Sequence, residues 1–582
     1  MRSAAWRLLL TSILVSTSTM SAAQVVPTRE QVTRPVEPTR QQRRPQLEVE
    51  GGIERAPCAL EGPGYENIRL TLRAVEFEGL RGLTATDLTP AYSAYVGHEA
   101  PISVVCEIRD RAATILRNAG YIAAVQVPEQ RIENGVVHFR VLMAHMTQVR
   151  VRGNATGAER AIAGYLGRLT EQPVFNRYDA ERYLLLASDI PGYAVRLTLR
   201  PAGGAPGDVI GDVTVQHTPA YVDFNVQNGG SKELGRWGGV VRGELYGLTG
   251  LGDRTTLALF STADFHEQKT VQVGHDFRLG PEGLTIGGAF TYAWAKPSIA
   301  DADLSSNTLF STLEISYPFI RRQSRTLRGA IGFDYVNQDV ELDKIDLAKD
   351  RLRVAFARLN FNAMSSDFTN PGYALEAPRW RFAGELELRQ GLNIFGASRF
   401  CGITGSNCDE DHVLPSRLEG RPTATVIRSN AYGEFRPIPK LTLALGGQAQ
   451  YSWKPLLSFE EFSGGNYTVG RGYDPGALIG DRGWGTQAEI RYGDRIPVSA
   501  KQPAIEGYAF WDQLRVDNLD RFGDFGREHL NSVGAGARVN FDRFALDAAV
   551  AVPLTRIGLE NRRPPTRFLV SLTSRLWPWS YQ

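Results

Sequence analysis

Four cysteines, eight histidines and a near balance of 65 basic against 63 acidic side chains in 582 residues close off several kinds of function. So few cysteines exclude a small disulfide scaffold. A formal net charge of +2 gives no broad basic field, so no nucleic-acid partner is expected. The histidines lack metal-ligand spacing, and no Gly-x-x-x-x-Gly-Lys-Ser/Thr loop, His-Glu-x-x-His helix or Gly-x-Ser-x-Gly elbow occurs. Gly534-Ala535-Gly536 lacks a third glycine and lies in an alternating stretch, so it is not a dinucleotide loop. No catalytic residue, metal or cofactor is expected, and the chain reads as no enzyme. After the N-terminal segment there is also no apolar run of helix-spanning length, so any membrane crossing must be made by strands.

What is present starts with Arg2 and Arg7, an apolar run from Leu8 to Val15, and Ser21-Ala22-Ala23, the pattern of a cleaved secretory signal over residues 1–23. Residues 24–67 carry prolines at 27, 35, 38 and 45, which predict an extended linker without room for a helix. Export permits disulfides. Cys401 and Cys408 enclose a short Gly/Asn/Ser-rich stretch and are expected to pair, leaving Cys58 and Cys106 to fasten the linker to the first folded module; four cysteines allow three connectivities.

Residues 68–146 read as a β-α-α-β-β unit. A strand at Val75 to Glu78 precedes a helix near Thr84 or Thr86. A second helix follows Pro101, with Val105, Ile108, Ala112, Ile115 and Leu116 on one face, and strands follow at Tyr121 to Val127 and Val136 to Leu142. The same order recurs over residues 147–217, where Asn176 caps a helix from about Arg177 to Ala187.

Beyond residue 217 alternation replaces helical periodicity. Leu284 to Trp294, Leu313 to Phe319, Leu327 to Tyr335 and Leu441 to Trp453 are each apolar at every second position, with Thr, Gly, Gln, Arg or Asp between, and they end in aromatics. A soluble sandwich seldom ends strand after strand in aromatics, whereas a membrane barrel places them at the interface and faces its other side to a wet lumen. Residues 218–582 divided among sixteen strands leave roughly 23 residues each, enough for a span, a turn and a loop, although twelve or eighteen strands also fit.

The Gly120-Tyr121 step, and Pro191-Gly192-Tyr193 with Leu197-x-Leu199-x-Pro201 and the Gly-rich turn after it, resemble tandem POTRA domains. Asn228-Gly229-Gly230-Ser231, Gly247-Leu248-Thr249-Gly250-Leu251-Gly252-Asp253 and above all Val469-Gly470-Arg471-Gly472-Tyr473 resemble the two-partner secretion transporters, the haemolysin and haemagglutinin exporters. That resemblance implies an outer-membrane barrel in a Gram-negative cell with its POTRA domains in the periplasm. Their partner would be one large unfolded exoprotein, a haemolysin or an adhesin, that is secreted through the pore and in some cases activated. Outer-membrane lipid, and the assembly machinery that reads a C-terminal aromatic signal, are the other implied partners. The terminal strand Arg567 to Leu576 departs from that signal, with Tyr581 one residue from the end.

The resemblance also implies a loop that folds back into the lumen, its tip Arg471-Gly472-Tyr473 meeting Asp512 of the Phe510-Trp511-Asp512-Gln513-Leu514 strand. A carboxylate there would offset the cost of desolvating a lone guanidinium. Gly470 is an extra residue in the motif, and Leu514 stands where the family has glycine, which is expected to hinder the close approach of the loop. The family's N-terminal plug helix is not expected, given the prolines. An outer-membrane protein insertase shares this architecture with more POTRA repeats, and a substrate-specific porin remains a third reading.

Overall fold

The computed structural model describes residues 27–34, 46–49, 58, 60, 62, 64–298, 303–366, 372–375, 377–402, 413–497, 502–520, 526–558 and 561–578. The signal segment, Cys408 and Tyr581 lie outside the described residues.

The linker is more ordered than its prolines suggest. It holds a helix, α1 (Arg29–Thr33), and a strand, β1 (Gln46–Val49). Pro27 and Pro35 bracket α1 instead of interrupting it. Thr28 and Gln31 close a capping box, Thr28 N donating to Gln31 Oε1 at 2.9 Å and Gln31 N to Thr28 Oγ1 at 3.4 Å. One turn is unstable alone in water, so packing in the lumen supplies the rest.

In the first module β2 (Arg69–Thr71) pairs with β4 (Glu99–Pro101), and a three-stranded sheet forms in the order β3 (Ala74–Glu78), β6 (Val136–Met143), β5 (Ala123–Gln126). The amphipathic helix α2 (Val104–Asn118) buries Val105, Ile108, Ala112 and Leu116 against Val137, Phe139 and Val141. The helix predicted near Thr84 is instead a 3₁₀ segment, Ala85–Ala91. Pro90 inside it removes a backbone donor, and only Leu88 and Ala91 are buried, so no α-helical face develops.

Cys58 is bonded to Cys106 of α2 across 48 residues, tying the linker's end to this module. Closing a loop of that length restricts the unfolded chain by about 4 kcal/mol. Reduction of the full chain, or Cys58→Ser with Cys106→Ser, is therefore expected to speed amide hydrogen exchange throughout α2 and leave the barrel strands unchanged. Exchange at α2 that does not change would show that the bridge adds nothing.

The second module comprises β7 (His145–Gly153), α3 (Glu159–Thr170), α4 (Arg177–Ser188), β8 (Tyr193–Pro201) and β9 (Asp208–His217). β9 is central, parallel to β7 and antiparallel to β8, and β1 of the linker adds to β8 in parallel. Asn176 caps α4 by accepting from Tyr178 N at 2.8 Å. The joint between modules uses the Gly120-Tyr121 step. Arg177 N donates to Gly120 O at 2.9 Å, and Tyr178 OH to Asn118 O at 3.1 Å. A Cβ on Gly120, which sits at φ +92°, would lie 2.5 Å from the Tyr178 ring.

Sixteen strands then close on themselves: β10 (Ala220–Gln227), β11 (Gly238–Tyr246), β12 (Arg254–Thr262), β13 (Gln268–Leu279), β14 (Leu284–Ala295), β15 (Leu304–Arg321), β16 (Arg325–Leu342), β17 (Ile345–Met364), β18 (Trp380–Gly391), β19 (Thr425–Ile438), β20 (Leu441–Ser452), β23 (Arg482–Gly493), β24 (Ala504–Asp517), β25 (Arg527–Phe541), β26 (Phe544–Pro553) and β27 (Arg567–Trp577). Every neighbouring pair around the barrel is antiparallel, and β10 closes the ring against β27. The alternation read in the sequence separates the two faces. Ile331 is 61% exposed on the outer side of β16, whereas Asp334 and Gln338 of the same strand are buried towards the bore.

The second module docks on the periplasmic turns of the barrel. Arg321, at the end of β15, grips Asp189 after α4 with two hydrogen bonds of 2.6 and 2.7 Å, and Arg182 donates to Pro318 O at 3.2 Å. The Gly247 to Asp253 turn meets Gly157, where a Cβ would lie 2.2 Å from Gly247 O. Asp253 shapes that turn by accepting from Leu248 N and Thr249 N at 3.0 and 2.8 Å. Burial pushes its carboxyl up, but the hydrogen bonds from Thr249 and Leu248 hold it below the usual carboxylate range.

Candidate functional site in the barrel lumen

Between β20 and β23 the chain turns inward. Residues 453–481 pass through a 3₁₀ turn, Ser458–Glu460, and two short paired strands, β21 (Phe462–Gly464) and β22 (Leu478–Gly480), with the tip at residues 465–476. The tip depends on glycine. Gly465 and Gly470 adopt φ +132° and +119°, and a Cβ on Gly465 would stand 2.0 Å from Asp474 O. Gly470, the extra residue in the motif, thus supplies a backbone conformation that few L-residues take.

This turn aims Arg471 at the wall. Its backbone N–H donates to Asp512 Oδ2 at 2.9 Å, Nε to the same oxygen at 3.0 Å, and Nη2 to Oδ1 at 2.6 Å. Nη1 reaches a second carboxylate, Glu489 of β23. The guanidinium lies 3.6 Å from the centre of the Phe510 ring. Asp512 is fully buried and also accepts from Ser532 Oγ at 3.3 Å, so each of its oxygens has a donor. A planar fork matched to one carboxylate, with a second carboxylate at its other edge, is a geometry lysine cannot reproduce.

Gly472 and Tyr473 complete the latch. A Cβ on Gly472 would lie 2.9 Å from both Ser532 Cβ and Pro553 N, so only glycine lets the tip reach the wall. Tyr473 is fully buried. Its hydroxyl lies 2.9 Å from the carbonyls of Asn531 and Thr555 and accepts from Thr555 N at 2.9 Å. Beside it Arg567 of β27 holds Asp474 at 2.6 Å and donates to Tyr473 O at 2.6 Å.

Leu514 does not hinder the loop. It is fully buried in a cluster with Phe462, Val469, Tyr473, Leu478, Val516 and Leu530. The space it takes is given up by the loop, since a Cβ on Gly464 would stand 2.6 Å from Leu514 Cδ2. The small residue at this contact is on the loop rather than on the strand, and the close approach is kept.

The loop's root is held separately. Glu460 accepts from Arg389 of β18 at 3.0 and 2.7 Å and from Arg428 of β19 at 2.9 Å. Asp481, where the loop rejoins the wall, accepts from Arg417 at 2.6 Å and from Leu456 N at 2.6 Å.

The helix α1 lies in the same bore. Gln338 and Gln268 donate to Pro27 O and Gln31 O at 3.3 and 2.9 Å, and Ser463 of the loop donates to Glu30 at 2.6 Å. The wall on one side and the inward loop on the other therefore satisfy a helix that the linker sequence could not sustain alone.

The structure thus brings Arg471, Gly472, Tyr473, Phe510 and Asp512 together. Cys58 and Cys106 lie apart in the first module, and Cys401 is buried and disulfide-bonded at the exterior end. Sequence reasoning missed Glu489, Ser532, Glu460 and its two arginines, and α1. The alternation of Gln487, Glu489 and Arg491 in β23 marks them as lumenal but does not say which one meets the loop.

A family model described as haemolysin secretion/activation protein ShlB/FhaC/HecB matches residues 210–539, and one described as POTRA domain, ShlB-type, matches residues 70–143. The heme/hemopexin transporter protein HuxB of Haemophilus influenzae (strain 86-028NP) is 21% identical over 472 residues, 79% of each chain. Two solved structures share the fold. CdiB from Escherichia coli has TM-score 0.73 at 15% identity, covering 90% of this chain and 94% of that one. CdiB from Acinetobacter baumannii has TM-score 0.64 at 16% identity, covering 90% and 91%.

Proposed function

This chain belongs to the haemolysin secretion/activation protein family of ShlB, FhaC and HecB, and from that premise we propose that it recognises one large unfolded exoprotein and passes it through the barrel lumen to the cell surface. The family's members are two-partner secretion transporters of the outer membrane, with POTRA domains in the periplasm. The observation that carries the rest is a closed barrel whose bore holds two segments of its own chain, the Arg471 loop and α1.

In this reading the POTRA sheets, whose edge strands β3, β5 and β7 have one hydrogen-bonded neighbour each among the described residues, receive the cargo as an added strand. The cargo then displaces the loop tip and α1, and folding outside prevents its return. Activation would be that folding. Asp512, Phe510, Gly472 and Tyr473 position Arg471, and their part in export is the part of the proposal that mutation addresses.

Co-expression with the exoprotein tests it. Deletion of residues 68–143 is expected to remove the cargo from the medium while the barrel still inserts, judged by heat-modifiable mobility. Export that continues unchanged would contradict a recognition role for the first module.

A further inference from the structure

We propose that the outward face of β20, β23, β24 and β25 at the exterior rim is a binding site for a phosphorylated glycolipid of the outer leaflet. Asp512, Leu514 and Val516 are buried towards the bore, so Trp511, Gln513 and Arg515 of β24 face the membrane. Across the strands Arg515 stands opposite Trp484 on one side and His529 on the other, and one rung further out Asp517 lies between Arg482 and Arg527. The Arg482 guanidinium lies 5.1 Å from the centre of the Tyr451 ring, and its Nε is buried with no partner among the described residues. Lys454 follows Trp453 at the end of β20 and is exposed. Among the described residues Arg482, Arg515 and Arg527 thus flank Asp517 on this face, and Arg527 pairs with it at 3.2 Å.

Directly below, on the same side of the barrel, is an apolar groove of about 690 Å³ on β19, β20, β23 and β24. Gly433 and Ala488 line it together with Leu443, Leu445, Ile490 and Trp511. Trp511 and Arg515 are four residues apart on one strand, about 13 Å. An acyl chain descending from a headgroup at Arg515 would therefore enter the groove.

The charge decides which lipid. Arginine forks suit phosphate, and indole and phenol rings suit the interface. A zwitterionic phospholipid brings its own ammonium, which this cluster repels. The cations spread over several strands, about 4.8 Å per strand, which suits a headgroup carrying more than one phosphate. The outer leaflet of a Gram-negative outer membrane consists of such glycolipids. The assignment needs only the barrel's place in that membrane, and it stands whether or not the cargo reading holds.

The test is native mass spectrometry of the full chain in detergent with diphosphoryl lipid A, its dephosphorylated form, or phosphatidylethanolamine. The diphosphoryl form is expected to be retained preferentially, and Arg482→Ala with Arg515→Ala to lower that retention about tenfold or more. Ala488→Phe, which fills the groove, should also lower it. Lys269→Ala, beside Trp294 on another side of the barrel, should not. Heat-modifiable mobility shows that each variant has folded. Equal retention of the phosphorylated and dephosphorylated forms, or a double variant that binds like the parent, would overturn the proposal.

Discussion

Replacing Arg471 with alanine is expected to stop export nearly completely while the barrel remains folded in the membrane. The substitution leaves Asp512 fully buried without its fork and takes from Glu489 one of its arginines, although Arg491 and Arg538 still reach Glu489 at 2.6 and 3.3 Å. Breaking a buried pair from one side typically costs about 3–5 kcal/mol. For the loop tip that is a shift on the order of a hundred- to several-thousandfold from the latched towards the released arrangement. Asp512→Asn should act in the same direction, and Arg471→Lys should fall between, since an ammonium can meet one oxygen but not span two. Hydrogen exchange of the full chain is the check. Amides of residues 465–476 should exchange much faster in Arg471→Ala, with β24 and β25 unchanged. A tip that stays protected would mean that the latch is not the arginine.

The second large effect is expected from removing residues 27–34. Among the described residues α1 meets the wall through Gln268 and Gln338 and meets the loop through Ser463. Its loss should raise single-channel conductance in planar bilayers several-fold and leave the Arg471 latch intact. Arg471→Ala should mainly alter the noise of the open level, because the loop's root is still held by Glu460 on Arg389 and Arg428 and by Asp481 on Arg417. Conductance unchanged by the deletion would place closure elsewhere.

Much of this architecture was legible because alternation is a signal repeated along the whole second half of the chain. Leu284 to Trp294, Leu313 to Phe319, Leu327 to Tyr335 and Leu441 to Trp453 each show apolar residues at every second position, and no single misjudged segment changes that reading. The two POTRA modules were legible for the opposite reason. Their signals are local, such as the Asn176 cap and the face of α2. What the sequence did not show depends on tertiary packing. The helix α1 exists because lumenal glutamines and a loop serine satisfy a turn too short to persist alone. The 3₁₀ segment at Ala85–Ala91 replaces an α-helix because Pro90 removes a donor. Leu514 gave a misleading sign because the compensating glycine, Gly464, lies 50 residues earlier in the chain. In the site itself the Arg471 and Asp512 positions were readable through their motifs. Glu489, Ser532 and Glu460 carry no local mark that separates them from other lumenal polar residues.

The central claim is that cargo travels through the bore. A photo-crosslinking residue placed at lumenal Gln338 or Arg538, during export of an exoprotein stalled by a folded C-terminal fusion, reads this directly. The account predicts adducts with the cargo from both positions and none from Leu313 or Ile331, which face lipid. Adducts from the lipid-facing positions with none from the bore would contradict it.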